Sequence, residues 1–212
     1  MDNLSLAKFI DMFESVSSVM SDNCEYLCQL DAKMGDGDLG LTMKRGFEAV
    51  VDSLKNDREE TFDKTLMKAG IKMASLAPST MGTLMASGLM SGGKRLAGKT
   101  EIGAEEYAAF LTGFCDGIIK RGKCAEGDRT ILDAISPAAK AASETASAGA
   151  GLAVTARASK GGASQGMEST KTMMAKFGKP AVFKEKVIGE PDQGAVAGML
   201  FVSAMADYIS AN

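Results

Sequence analysis

Apolar residues recur at helical spacing along almost the whole chain, while β-branched runs with strict alternation are scarce. Nothing else in the sequence constrains the fold as much. Such a chain buries the stripes of helices, not the faces of a sheet. Leu4, Phe9, Phe13 and Val16 step along one face, with Ala7 and Ile10 filling the gaps, and Asn3 or Ser5 stands where a cap is needed. Leu39, Leu41 and Met43, then Phe47, Val50, Val51 and Leu54, predict a second helix that gives way to a polar loop over 55–60. Phe62, Leu66, Ala69, Met73 and Leu76 predict a third that ends before Pro78. Ser79 can cap a fourth, running to Gly92 and Gly93. Further helices are predicted over 102–119, over 129–146 with Pro137 near a kink, over 153–175 and over 193–209. The Ala/Gly/Ser stretch 146–153 reads as a tight turn, and 181–190 as irregular or briefly extended. The expected architecture is all-α: about eight helices in a single domain spanning 1–212. At 212 residues and 45% hydrophobic content, the chain can bury a core without disulfides or a structural metal.

Composition removes several chemistries. The chain has no histidine. That excludes Ser-His-Asp and Cys-His nucleophilic machinery, a phosphohistidine on this chain, and most transition-metal sites. Cys24, Cys28, Cys115 and Cys124 have no C-x-x-C spacing, so free thiols in a reducing compartment are expected. A net charge of −3 argues against a broad nucleic-acid surface. No stretch approaches ~18 uninterrupted apolar residues. No basic region precedes an apolar segment at Met1-Asp2-Asn3. Neither a membrane span nor a secretion signal is therefore expected, and the predicted location is the cytoplasm.

The chemistry left over falls to carboxylates, hydroxyls, lysines, arginines and backbone amides. Asp31, Asp36 and Asp38 lie within eight residues, interleaved with Gly35, Gly37 and Gly40. Three carboxylates drawn together repel unless a cation sits between them, and oxygen-only ligands suit Mg²⁺ or Ca²⁺. An EF-hand fails, because Gly40 and Phe47 stand at ligand positions. The Gly35-x-Gly37-x-x-Gly40 match to a dinucleotide fingerprint lacks a preceding strand. Two readings remain: an acidic turn capping the helix that starts near Leu39, or a pair of Mg²⁺ ions bridging nucleotide phosphates, with amides and hydroxyl around Gly40 and Thr42 as an anion seat. Ser79-Thr80-Met81-Gly82-Thr83 offers hydroxyls at a second helix start. Gly88–Arg95 nearly spells a Walker A loop, but Arg95 replaces the Mg²⁺-binding Ser/Thr and no strand leads in, so it reads as a helix end. Asp128 and Arg129 are compatible with a cap and a surface pair, and Pro191-Asp192-Gln193-Gly194 with a loop before the last helix.

In this order, Asp31…Gly35-Asp36-Gly37-Asp38-x-Gly40, Ser79-Thr80-Met81-Gly82-Thr83, Gly127-Asp128-Arg129-Thr130-Ile131-Leu132-Asp133-Ala134 and Asp192-Gln193-Gly194-Ala195 resemble the L-subunit, nucleotide-binding family of dihydroxyacetone kinases over essentially the whole chain. The resemblance implies a barrel of eight antiparallel helices holding ADP or ATP at one end. It implies Asp31, Asp36 and Asp38 as ligands of two Mg²⁺ ions. Leu39, Gly40, Leu41 and Thr42 would lie along the phosphates, with Ser79 and Thr80 as further phosphate contacts. Gly122 and Ile131 would line the adenine side. Lys179 stands where the family usually has a phosphate-facing arginine, and Asp192, Gln193 and Gly194 would close over the nucleotide. The sequence departs from the family pattern at Leu39 (often His), Thr42 (often Asn), Gln193 (often Pro), Lys179, and Lys184-Glu185-Lys186-Val187, where a GERS-like loop is usual.

The activity so implied is transfer of a γ-phosphoryl group to dihydroxyacetone or a similar small ketose. The substrate would be held covalently on a histidine of a separate K-type subunit. The donor is either free ATP or a bound ADP recharged by a phosphoenolpyruvate-linked phosphocarrier protein. A homodimer is compatible with this reading, and direct contact with nucleic acid or membrane is not expected. The alternatives are a non-catalytic nucleotide-binding regulatory module, or a kinase for another ketose or polyol.

Overall fold

Across residues 2–212, described by a computed structural model, the predicted stripes become nine α-helices. They are α1 (Leu6–Asp22), α2 (Cys24–Ala32), α3 (Leu39–Asn56), α4 (Phe62–Leu76), α5 (Thr80–Arg95), α6 (Ala104–Gly122), α7 (Leu132–Ser147), α8 (Leu152–Ser169) and α9 (Gln193–Ala211). Ser5 is the cap of α1, its Oγ accepting from Lys8 N at 3.4 Å. Two 3₁₀ segments, Thr170–Thr172 and Lys179–Val187, precede α9. The segment read as irregular is thus mostly a 3₁₀ helix. Two residues at each of β1 (Leu4–Ser5) and β2 (Glu101–Ile102) pair antiparallel, Leu4 opposite Ile102.

Eight of these helices close a ring. From α3 to α9 each packs on the next, and α1 packs on both α9 and α3. Neighbours run antiparallel. Thr170, just after α8, accepts through Oγ1 from the amide of Asp192, just before α9, at 2.9 Å. The β1–β2 pair ties the start of α1 to the start of α6. The ninth helix, α2, is the one that helical periodicity did not single out. It is nine residues long and buries Leu27, Leu30 and Asp31, too short a stripe to stand out. The helix expected over 153–175 stops at Ser169, and α7 begins at Leu132 instead of 129 because residues 123–131 form a loop with Lys123 and Arg129 at positive φ.

The barrel is filled, not hollow. Phe9, Phe13, Phe47, Phe62, Phe110, Phe114 and Phe201 are buried inside it. Phe201 stacks on Phe114 at 4.9 Å and on Phe47 at 5.6 Å, while Phe62 meets Phe9 edge-on at 5.1 Å. A ligand therefore has to bind at an end of this barrel. Helix α9 is long and apolar enough to cross a bilayer, with mean hydropathy 1.4, which a count of uninterrupted apolar residues passes over. It is apolar nearly all round because α1, α7 and α8 surround it, burying 61% of that stretch.

Antiparallel alternation has one consequence for function. The N-termini of α3, α5, α7 and α9 gather at the same end of the ring. All four carry the positive end of a helix dipole, but their amides differ: Thr130 and Ile131 already take those of the first turn of α7, while the side chain of Asp38, the N-cap residue of α3, caps none of its amides.

Candidate metal and nucleotide site

The chain between α2 and α3 is wound around Asp31. Its buried carboxylate accepts through Oδ2 from Gly37 N at 2.9 Å and Asp38 N at 3.1 Å. Its carbonyl accepts from Met34 N at 3.1 Å and Gly35 N at 2.5 Å. Gly37 turns the loop at φ +76°, a conformation that a side chain resists. The winding brings carboxylate oxygens of Asp31, Asp36 and Asp38 within 4.8 Å of one another, Asp31 buried and the other two exposed. Both loop bonds to Asp31 use Oδ2, which leaves Oδ1 clear of them. The donor set is oxygen alone, which suits a hard divalent cation that keeps most of its shell for water and phosphate.

A cation is already drawn to this cluster. Lys179 Nζ lies 2.5 Å from Asp36 Oδ2, with both side chains more than half exposed. The hydrogen bond from Lys179 holds the Asp36 carboxyl below the usual carboxylate range. A second exposed pair, Lys33 with Glu190 at 2.8 Å, joins the same loop to the end of the 3₁₀ segment.

The other sequence-predicted residues fall around this loop. Leu39, Gly40 and Thr42 are buried in the first turn of α3 and Leu41 is exposed there. No side chain caps α3, so the amides of its first turn remain open to an anion. Ser79 caps α5, accepting from Gly82 N at 3.0 Å, and its hydroxyl proton stays available; Thr80 is exposed beside it. Gly122 ends α6 against Leu84 of α5. Ile131, just before α7, is buried; a Cβ on Gly194 would lie 3.2 Å from Ile131 N and 2.9 Å from Met81 Cε, so α5, α7 and α9 meet there. Asp192 caps α9, accepting from Ala195 N at 2.8 Å, and Gln193 begins that helix half-buried. Burial pushes the Asp192 carboxyl up to about 6, against the pull of the Ala195 amide and of Arg129.

Residues 125–133 knit themselves together through aspartates. Asp133 accepts from Gly127 N at 2.6 Å and Thr130 N at 2.7 Å; Asp128 accepts from Ala125 N at 2.7 Å and Lys176 Nζ at 2.6 Å. Arg129, which the sequence leaves compatible with a surface pair, is fully buried. Neither its burial nor its left-handed backbone, φ +59°, has a one-dimensional signature.

The near-Walker segment lies elsewhere. Gly92, Gly93 and Lys94 belong to the last turns of α5, at the opposite end of the barrel, and Arg95 pairs with Asp116 at 2.8 Å. Cys24, Cys28, Cys115 and Cys124 are all free thiols, as composition predicts.

Residues 33–207 match the family model of the DAK2 domain. The chain belongs to the DAK2-domain family. This DAK2 chain is 27% identical over 204 residues to the PEP-dependent dihydroxyacetone kinase, ADP-binding subunit DhaL, of Escherichia coli, covering 96% of this chain and 97% of that one. It is 31% identical to L-erythrulose 1-kinase of Mycolicibacterium smegmatis over 95% of its own length, but spans 35% of that enzyme. The fold superposes on the crystal structure of the dihydroxyacetone kinase of C. freundii with a TM-score of 0.69 at 22% identity, over 93% of this chain and 34% of that one. The same enzyme has been solved in complex with AMP-PNP and Mg²⁺, with a TM-score of 0.68. The DAK2 chain thus matches some relatives end to end and others over about a third of their length.

Proposed function

We propose that this chain is the nucleotide-holding subunit of a ketose kinase. The observation that carries the reading is the convergence of three carboxylates, an exposed lysine and the uncapped N-terminus of α3 at one end of a filled barrel. Asp31, Asp36 and Asp38 would hold Mg²⁺, in two ions by the family resemblance. Bound there, Mg²⁺ supplies charge neutralisation across the phosphates of ADP or ATP. The first-turn amides of α3 and the Ser79 hydroxyl donate to phosphate oxygens, and Lys179 adds a positive charge. Gly122 and Ile131 flank the base, and Asp192, Gln193 and Gly194 close the other side. The names of the E. coli and C. freundii relatives support this reading, one an ADP-binding subunit and the other solved with AMP-PNP and Mg²⁺.

The acceptor is dihydroxyacetone or a similar small ketose, presented by a K-type subunit in the cytoplasm. This chain has no histidine to bind a ketose covalently, and no side chain at the site stands out as a base for its hydroxyl. Both tasks fall to the partner. The PEP-dependent E. coli relative favours a resident ADP recharged by a phosphocarrier protein. A four-carbon ketose is the second reading, favoured by the 31% identity to an erythrulose kinase. The test is reconstitution with candidate K-type subunits, offering dihydroxyacetone or erythrulose with either ATP or a phosphocarrier system. Phosphorylated ketose in any arm supports the proposal. Tight Mg-nucleotide binding with no transfer in every arm would make the chain a regulatory nucleotide-binding module.

The Lys179–Asp36 contact gives a prediction of opposite signs. Mg²⁺ and the ammonium compete for the same carboxylate. Lys179→Ala should therefore tighten binding of Mn²⁺ alone, used as the probe, while weakening Mg-ADP by about 10-fold, the worth of one charge-assisted hydrogen bond. Lys94→Ala should change neither. Titration calorimetry reads both, and a Lys179→Ala variant that weakens metal alone would mean that the lysine does not oppose the cation.

A further inference from the structure

The segment from residue 173 to 191 crosses the site end of the barrel and is tied down differently on its two sides. On the metal side it is held by two exposed ion pairs, Lys179 with Asp36 and Lys33 with Glu190. Exposed pairs of this kind are individually weak and exchange readily. On the other side it meets a buried charge. Arg129 Nη2 donates to the carbonyls of Val187 at 3.3 Å and Glu190 at 3.0 Å, and Nη1 lies 3.6 Å from Asp192 Oδ2. Around that anchor, Lys176 N donates to the Asp128 carbonyl at 3.2 Å, and Gly189 N to the Lys171 carbonyl at 2.7 Å.

A fully buried guanidinium is costly unless its partners are fixed. Here every partner of Arg129 belongs to the segment that carries Lys179 or to the cap of α9. Among the described residues, none of its partners lies in the helical core. Arg129 is held in the left-handed region at φ +59°, which a non-glycine residue adopts at a cost. Asp133, bonded to the amides of Gly127 and Thr130 on either side, holds that turn, and the turn places the guanidinium under the crossing segment.

We propose that Arg129 is the positioning residue of the nucleotide site. It fixes the crossing segment at 187–192, so that Asp192, Gln193 and Gly194 keep their place and Lys179 can move between Asp36 and a phosphate without the segment lifting. Arg129 reaches no phosphate in this role; it acts through the backbone it holds. The inference rests on the nucleotide-site reading for its functional half and on the contacts above for its structural half.

The test uses the full chain and three variants: Arg129→Met, Arg129→Lys, and Phe62→Leu as a control of comparable thermal loss at the other end of the barrel. Hydrogen exchange of amides 185–195 is measured without nucleotide, and ADP affinity is measured in Mg²⁺. Arg129→Met should speed exchange in that segment at least about tenfold and weaken ADP about tenfold or more, with helicity retained. Arg129→Lys, which keeps the charge and one donor group, should recover part of both. Phe62→Leu should move neither. Wild-type exchange and affinity in Arg129→Met would overturn the proposal, as would an equal loss of affinity in Phe62→Leu. If Arg129→Met fails to fold, the Arg129→Lys comparison decides on the same two readouts. If the wild-type chain itself binds no ADP, the nucleotide reading falls, while the exchange data still decide whether Arg129 anchors the segment.

Discussion

Asp31→Asn should remove Mg-dependent nucleotide binding while leaving the fold in place. The two roles of this carboxylate can be separated chemically. As a scaffold, it accepts the Gly37 and Asp38 amides at 2.9 and 3.1 Å through one oxygen. An asparagine carbonyl can accept the same two bonds. As a ligand, it brings the negative charge of a buried oxygen donor to the cluster with Asp36 and Asp38, and the amide has none. We expect an affinity loss of at least about 100-fold for Mg-ADP, equivalent to about 2.8 kcal/mol, with a thermal midpoint close to wild type. Asp31→Ala should lose both, because the loop amides are orphaned as well. Equal affinity in Asp31→Asn and wild type would mean that the three aspartates form an acidic turn and not a metal site.

The second large effect is expected at Gly40, where α2 and α3 touch. A Cβ built there would lie 1.9 Å from the carbonyl oxygen of Cys24 and 2.9 Å from Cys28 Sγ. The nearer obstacle is backbone, so α2 must move as a unit, and α2 carries Asp31 in its last turn. Gly40→Ala should therefore cost about 3 kcal/mol, at the upper end for overpacking, and lower the thermal midpoint by about 6–12 °C for a chain of this size. It should also weaken Mg-ADP, through displacement of the metal loop. Gly161→Ala is the counterpart. Gly161 lies inside α8, exposed, with nothing within 4 Å of an added Cβ. There the substitution should stabilise by about 0.5–1 kcal/mol through helix propensity. Thermal melts of the two variants side by side check the pair; matching shifts would show that close helix contact at Gly40 is not what that glycine serves.

These two positions also show where sequence reading succeeds and where it stops. The spacing of Phe62, Leu66, Ala69, Met73 and Leu76 predicts a helix that ends before Pro78, and α4 spans Phe62–Leu76, since one wide stripe and a hard stop suffice. The clustered aspartates could be singled out because their chemistry is local to eight residues. The residues around them are another matter. Lys179 is 143 positions from Asp36, and Glu190 is 157 from Lys33, so these pairs exist only once the ring has closed. In the sequence Asp128-Arg129 is compatible with a cap and a surface pair, because arginines are mostly exposed. Its burial depends on carbonyls about sixty residues away. Helix α2 has no periodic signature, because three buried positions in nine residues make no stripe. For the ion pairs and for Arg129 the missing information is a long-range contact; for α2 it is the shortness of the stripe.

Native mass spectrometry of the purified chain in Mg²⁺ buffer, before and after long dialysis, tests the assignment most directly. A complex of one nucleotide with Mg²⁺ is expected on the wild-type chain, formed on addition of ADP or ATP if not already present, and absent from Asp31→Asn. Retention of ADP through dialysis would further favour recharging of a resident nucleotide over exchange with free ATP. A bare protein mass under every condition, with ADP, ATP and Mg²⁺ all supplied, would mean that the three aspartates form no Mg-nucleotide site.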